Sequence, residues 1–211
     1  DGDILKSDYA EYDRKLGKIT LKNNVSLIDK NRNEITTNFA TYQEKGKIFL
    51  SIGPTKIITT DNYLIEGEDI KFNGEEKKIN SDKKTTITDE DNNTISLDNF
   101  KYSTIDNVFK SVGFIKIKDQ LNNSYEFSQI YIDTKKKEIL GTDIKAFLNH
   151  KDFKMNEKNK PRIFSNTIKL EDNKSQFNKS VFTLCDYREN DKCPPWTRQA
   201  KEMLQDRSEK T

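Results

Sequence analysis

Apolar residues in this chain return with a period of thirty. A chain that repeats on that length folds by stacking copies of one small motif, because no single copy can bury its own apolar face. Ala10 and Tyr12 are followed by Ala40 and Tyr42, Ile70 and Phe72, Phe100 and Tyr102, and Ile130 and Ile132. A second series, Ile19, Ile48, Ile79, Phe109 and Ile139, keeps the period to within a residue or so. Between the two series lies a polar turn, seen as Lys15-Leu16-Gly17-Lys18 and again as Glu44-Lys45-Gly46-Lys47. A sixth, degenerate copy carries Ile168, Leu170, Phe177 and Val181, displaced by an insertion around Asn149–Pro161.

Inside each copy the pattern has period two. Ile19-Thr20-Leu21-Lys22, Val25-Ser26-Leu27 and Phe114-Ile115-Lys116-Ile117-Lys118 alternate apolar and polar, as half-buried strands do. Turn signals such as Lys22-Asn23-Asn24, Asn73-Gly74, Asp91-Asn92-Asn93 and Asn122-Asn123 separate the runs. The expected fold is all-β: an elongated, twisted stack of short antiparallel strands with an apolar interior and two unpaired end strands, followed by a short irregular tail. Domain limits of 1–184 for the stack and 185–211 for a cysteine-containing linker follow from where the rhythm stops. Within that tail, Gln199–Leu204 is helical on propensity alone or begins another copy of the repeat. Only 32% of the residues are hydrophobic, which suits strands that bury one face and wet the other.

The chain shows no catalytic constellation and no cofactor motif. His150 is the sole histidine and sits in the polar stretch Asn149–Asp152, without partners for a triad. Asp89-Glu90-Asp91-Asn92-Asn93 lacks the glycine and terminal glutamate of a calcium loop and is expected to be a turn. Two cysteines and one distant histidine do not complete a zinc set, so no metal is expected. Cys185 and Cys193 are expected in disulfide chemistry, either with each other or with cysteines outside the chain. Acidic and basic residues nearly cancel, to a net charge of +2, which argues against a nucleic-acid partner. No run approaches the roughly 20 apolar residues of a spanning helix. A chain starting at Asp1 is expected to be a processed or trimmed fragment. What remains as a candidate site is the inward apolar row, expected to include Ile19, Leu21, Val25, Leu27, Ile48, Leu50, Ile52, Ile57, Phe72, Phe109, Phe114, Ile115, Ile117 and Phe127. Such a row either packs as a filled core or stays open as a greasy groove.

The tail carries a resemblance. Strand Val181–Leu184, then Cys185, a short polar loop, Cys193-Pro194-Pro195-Trp196 and Gln199-Ala200-Lys201 resemble the end of the periplasmic domain of the lipopolysaccharide-assembly outer-membrane proteins, the LptD or organic-solvent-tolerance family. Units such as Ala10-Glu11-Tyr12-Asp13 with Gly17-Lys18-Ile19-Thr20-Leu21 and Val25 resemble the repeats of the OstA-type domain, which is shared with a soluble bridge protein and an inner-membrane protein of the same pathway. The resemblance implies a slightly open β-jellyroll, at the periplasmic face of the outer membrane, whose apolar groove carries lipopolysaccharide acyl chains. It implies docking of an LptA-like bridge protein by strand addition on the N-terminal strand, with Ile4, Leu5, Tyr9 and Tyr12 at that edge. It implies a following membrane barrel that holds an LptE-like lipoprotein, and disulfides from Cys185 and Cys193 to that barrel. A free-standing bridge protein of the same fold is the alternative. A glycan-acting enzyme or adhesin on a β-solenoid is the reading from another class.

Overall fold

The computed structural model describes residues 3–154, 161–171, 174–184 and 197–206. Within them the chain forms eighteen strands and one turn of 3-10 helix. The chain divides into two compact units, Asp1–Ser111 and Val112–Thr211. The all-β, stacked antiparallel architecture expected from the repeat is present.

In the first unit the strands are β1 (Ile4–Lys6), β2 (Tyr9–Asp13), β3 (Lys18–Ile28), β4 (Glu34–Gln43), β5 (Ile48–Ser51), β6 (Pro54–Ile58), β7 (Leu64–Glu68), β8 (Lys71–Asn73), β9 (Lys78–Ser81), β10 (Thr85–Thr88), β11 (Thr94–Leu97), β12 (Phe100–Ser103) and the start of β13 (Val108–Lys118). They pair in two antiparallel ladders. One runs β2–β3–β4–β5–β8–β9–β12–β13. The other runs β1–β3–β4–β6–β7–β10–β11. The chain therefore passes from one ladder to the other through a corner about halfway along every run of ten or so residues, and β3 and β4 belong to both ladders.

The corners explain themselves residue by residue. In β3 the pairing slips between Lys22 and Val25, where Asn23 and Asn24 adopt positive φ, a conformation asparagine tolerates better than most residues. Gly53 supplies the same conformation between β5 and β6, at φ 80°. Bending a strand strands its backbone polar groups, and buried serines take them up. Ser51 Oγ accepts the Ile70 N–H at 2.8 Å and lies 3.2 Å from the Ile70 carbonyl, to which it donates. Ser81 Oγ donates to the Glu68 carbonyl and Ser111 Oγ to the Asn99 carbonyl. Ser51→Ala should therefore leave the buried Ile70 N–H without this partner and lower stability by about 1–3 kcal/mol. Urea denaturation followed by circular dichroism checks this, and a loss near zero would show that the hydroxyl is dispensable.

Opposite the corners lie the hairpin loops, also stacked. Glu44 N–H donates to the Gly17 carbonyl, Gly74 N–H to the Lys47 carbonyl and Thr104 N–H to the Lys77 carbonyl, at 2.9–3.0 Å. The other set of loops is built on an Asp-x-x-x-Asn cage. Asp29 Oδ1 accepts the N–H groups of Asn31 and Asn33, and the Asn33 amide donates to Asp29 Oδ2. The same cage recurs at Asp89–Asn93 and, in the second unit, at Asp119–Asn123. The acidic run at Asp89–Asn93 is thus a turn, as its composition suggests.

The second unit continues with the rest of β13, β14 (Ser124–Asp133), β15 (Glu138–Phe147), β16 (Arg162–Glu171), β17 (Lys174–Thr183) and β18 (Arg198–Asp206). From β14 to β18 each strand pairs with the next. His150 opens the 3-10 turn His150–Phe153 in the insertion between β15 and β16, capped by the Asn149 side chain. Arg198–Asp206 is neither irregular nor helical but a strand on the edge of β17, which agrees with the second reading of Gln199–Leu204, as the beginning of another copy of the repeat. Helix propensity over Gln199–Leu204 is worth a few tenths of a kcal/mol per residue, and a full ladder of edge hydrogen bonds outweighs it. Cys185 and Cys193 lie outside the described residues.

Candidate functional site

The inward faces of the two ladders in the first unit form two walls of different chemistry. One wall is aliphatic. Leu5, Leu27, Ile35, Ile57, Ile65, Ile87 and Ile95 stand directly opposite one another on consecutive strands. The other is largely aromatic: Tyr12, Ile19, Tyr42, Phe49, Phe72, Ile79, Tyr102 and Phe109 follow one another in the same way. The walls meet where the Tyr63 ring stands 6.0 Å from Phe109, which itself stacks on Tyr102 at 4.2 Å. Ile35, Phe49, Ile57, Ile65, Phe72 and Ile79 are at most 1% exposed, so the interior is filled by its own side chains.

Burial relaxes toward the N-terminal edge. Ile19 and Tyr42 are half-buried, Leu5 is half-buried, and Tyr12, Tyr9 and Ile4 are each about half exposed. β1 and β2 pair only with β3 among the described residues, so this end of both walls faces outward. Its phenols are held by acids: Tyr12 OH donates to Glu44 Oε2 at 2.9 Å, which with the nearby carboxylate charges holds the phenol above its ordinary pKa. Tyr42 is raised as well, by burial first and by the Asp3 and Glu44 charges after it. Lys22 lies over the Tyr9 ring, 5.3 Å from its centre.

Of the residues expected to face inward, Leu21, Val25, Leu27, Ile57, Phe72, Phe109, Ile115, Ile117 and Phe127 are buried. Four are corrected, the half-buried Ile48 among them. Leu50, Ile52 and Phe114 are 38%, 50% and 56% exposed and lie on outer surfaces. The reason is phase. In Ile48-Phe49-Leu50-Ser51, Phe49 and Ser51 point inward, so Ile48 and Leu50 cannot. At Gly113 the strand turns, and Ile115 rather than its neighbour Phe114 regains the interior. Sequence reasoning missed Phe49, Ile35, Ile65, Ile87, Ile95 and Tyr102. The missed signal was in the period itself: Ile19, Phe49, Ile79 and Phe109 are spaced by thirty without slippage, as are Leu5, Ile35, Ile65 and Ile95.

The second unit carries its own buried set, including Tyr125, Phe127, Ile130, Ile132, Ile144, Ile163, Ile168 and Phe177. Among the described residues no group of three or more histidines, cysteines or acids could hold a metal. No helix among them is long and apolar enough to cross a membrane. The arrangement offers apolar surface and hydrogen-bonded loops, and apolar surface gains free energy when apolar matter covers it.

No family model matches the sequence, and no curated protein matches it. Among solved structures, the crystal structure of LptH, the LptA homologous periplasmic component of the conserved lipopolysaccharide transport device from Pseudomonas aeruginosa, aligns over 66% of this chain and 81% of that one, at 16% identity and a TM-score of 0.29. At that score the fold is established by this chain's own strand pairing.

Proposed function

We propose that this chain is a lipopolysaccharide-transport module that holds acyl chains between its aliphatic and aromatic walls. The observation that carries the reading is the pair of uninterrupted apolar walls, joined by corners on one side and by separate loop stacks on the other. Burial is worth about 0.8 kcal/mol per methylene, so a wall of equivalent apolar rungs holds a chain without any one rung holding it tightly. Movement along such a wall exchanges like contact for like. The sequence resemblance of the repeats to OstA-type domains supplies the cargo, and Cys185 to Trp196 favours the outer-membrane member over a free-standing bridge protein. In that setting the chain works at the periplasmic face of the outer membrane, Ile4, Leu5, Tyr9 and Tyr12 receive the bridge protein, a barrel beyond the chain holds the lipoprotein, and the two cysteines form disulfides.

A photo-crosslinking residue at Phe72, Ile57 or Ile65 should form adducts with lipopolysaccharide, read by gel shift and immunoblot. The same residue at Leu50 or Phe114 should not, because both sit on outer surfaces. Adducts only at the outer positions, or at none, would rule out an interior route.

A further inference from the structure

We propose that Asn31 latches the loop edge of the first unit shut, and that acyl chains enter between the walls after its bond to Thr104 breaks. The proposal rests on the transport reading and adds its control. The central side chains of the walls are at most 1% exposed, so the space between them is closed to solvent. A guest must therefore part the walls. On the corner side they are joined by the chain itself and by buried serine bonds such as Ser51 to Ile70. On the loop side the backbone bonds run along a stack, from Glu44 to Gly17, Gly74 to Lys47 and Thr104 to Lys77, not across the edge. A tie that does cross it uses a side chain. The Asn31 amide, on a loop of the aliphatic wall, donates to the Thr104 carbonyl, on a loop of the aromatic wall, at 2.8 Å. Asp3 Oδ1 accepts the Lys30 N–H at 3.3 Å, a bond that stays on the aliphatic side.

Asn31 is built to swing as a single arm. Its N–H donates to Asp29 Oδ1 at 2.8 Å, and its carbonyl accepts the Thr60 hydroxyl, so the backbone is fixed. Thr104 is fixed on the opposite stack by its N–H and its hydroxyl, both donating to the Lys77 carbonyl. Rotating one amide removes this tie without unravelling either loop. A part-buried side-chain hydrogen bond between neutral groups is weak enough to break thermally and strong enough to bias the edge toward closure.

The test uses the full chain carrying Asn31→Ala, and separately Asn31→Ser, whose hydroxyl is too short to reach Thr104. Entry of the apolar dye N-phenylnaphthylamine, followed by its fluorescence, should be about five-fold faster in both variants than in the parent. Their melting transitions should stay cooperative, which separates an opened edge from an unfolded chain. Equal dye entry in parent and variants overturns the latch, whatever lipid does. Uptake of purified lipid A, read by photo-crosslinking at Phe72, reports on the transport reading: faster dye entry with no lipid A adduct in any protein keeps the latch and removes the cargo.

Discussion

Phe109→Ala should destabilise the protein by about 3–5 kcal/mol, while Phe114→Ala should change stability by no more than about 0.5 kcal/mol. The two phenylalanines lie on one strand, and the sequence pattern placed both inside. Phe109 is 1% exposed and is the hub of an aromatic group, with ring centres at 4.2 Å from Tyr102, 6.0 Å from Tyr63 and 6.2 Å from Phe100. Truncation leaves a cavity whose neighbours are large rings fixed by their own packing, so the site collapses poorly. Phe114 is 56% exposed and surrenders little on truncation. Since small domains are stable by about 5–15 kcal/mol, the first loss is a large share of the whole. It should appear as a drop of roughly 10 °C in the melting temperature. Thermal and urea denaturation of the two variants measure both values, and equal losses would mean that the phase of β13 is wrong.

The period was legible and the phase was not. A thirty-residue register with strand-like alternation fixes an all-β stack, because each copy holds too few apolar residues for a core of its own. It also fixes which residue types line the interior. It does not fix the phase where apolar residues sit side by side. Ile48-Phe49-Leu50 and Phe114-Ile115 each satisfy alternation in two ways, and taking Ile48 as the equivalent of Ile19 put Leu50 and Ile52 on the wrong face. Holding the period at thirty selects Phe49 instead.

The loop edge was less legible still. Lys30-Asn31-Arg32 is an ordinary polar turn in sequence, and only the crossing of two ladders brings Asn31 to Thr104, seventy-three residues away. The β18 strand was legible only as one of two readings: Gln199–Leu204 lacks strong alternation, and its conformation comes from the free edge of β17 rather than from its own composition. The filled interior also could not be foreseen. Period-two patterning marks which side chains turn inward, and the packing that closes them together depends on volumes matched across strands.

Those matched volumes give the second large expectation. Position thirty by thirty, the corner residues Ser51, Ser81 and Ser111 are followed by Gly141. A consensus argument would restore serine there and gain stability. The structure opposes it: a Cβ on Gly141 would stand 2.3 Å from Phe127 Cδ1 and 2.6 Å from Cε1, closer than carbon atoms approach. The equivalents of Phe127 in the earlier repeats are Thr37, Gly67 and Leu97, all smaller, so the ring of Phe127 occupies the volume that serine takes elsewhere. Gly141→Ser should therefore destabilise by about 1–3 kcal/mol, by pushing a buried ring off its rotamer. Phe127→Leu alone should also destabilise, by leaving a void. Together they recreate the Leu97 and Ser111 pairing of the preceding repeat, so the double variant should be more stable than the sum of the single losses by at least about 1 kcal/mol. A double-mutant cycle in urea measures that coupling. Gly141→Ser as stable as the parent, or losses that simply add, would mean that the ring and the glycine do not share one volume.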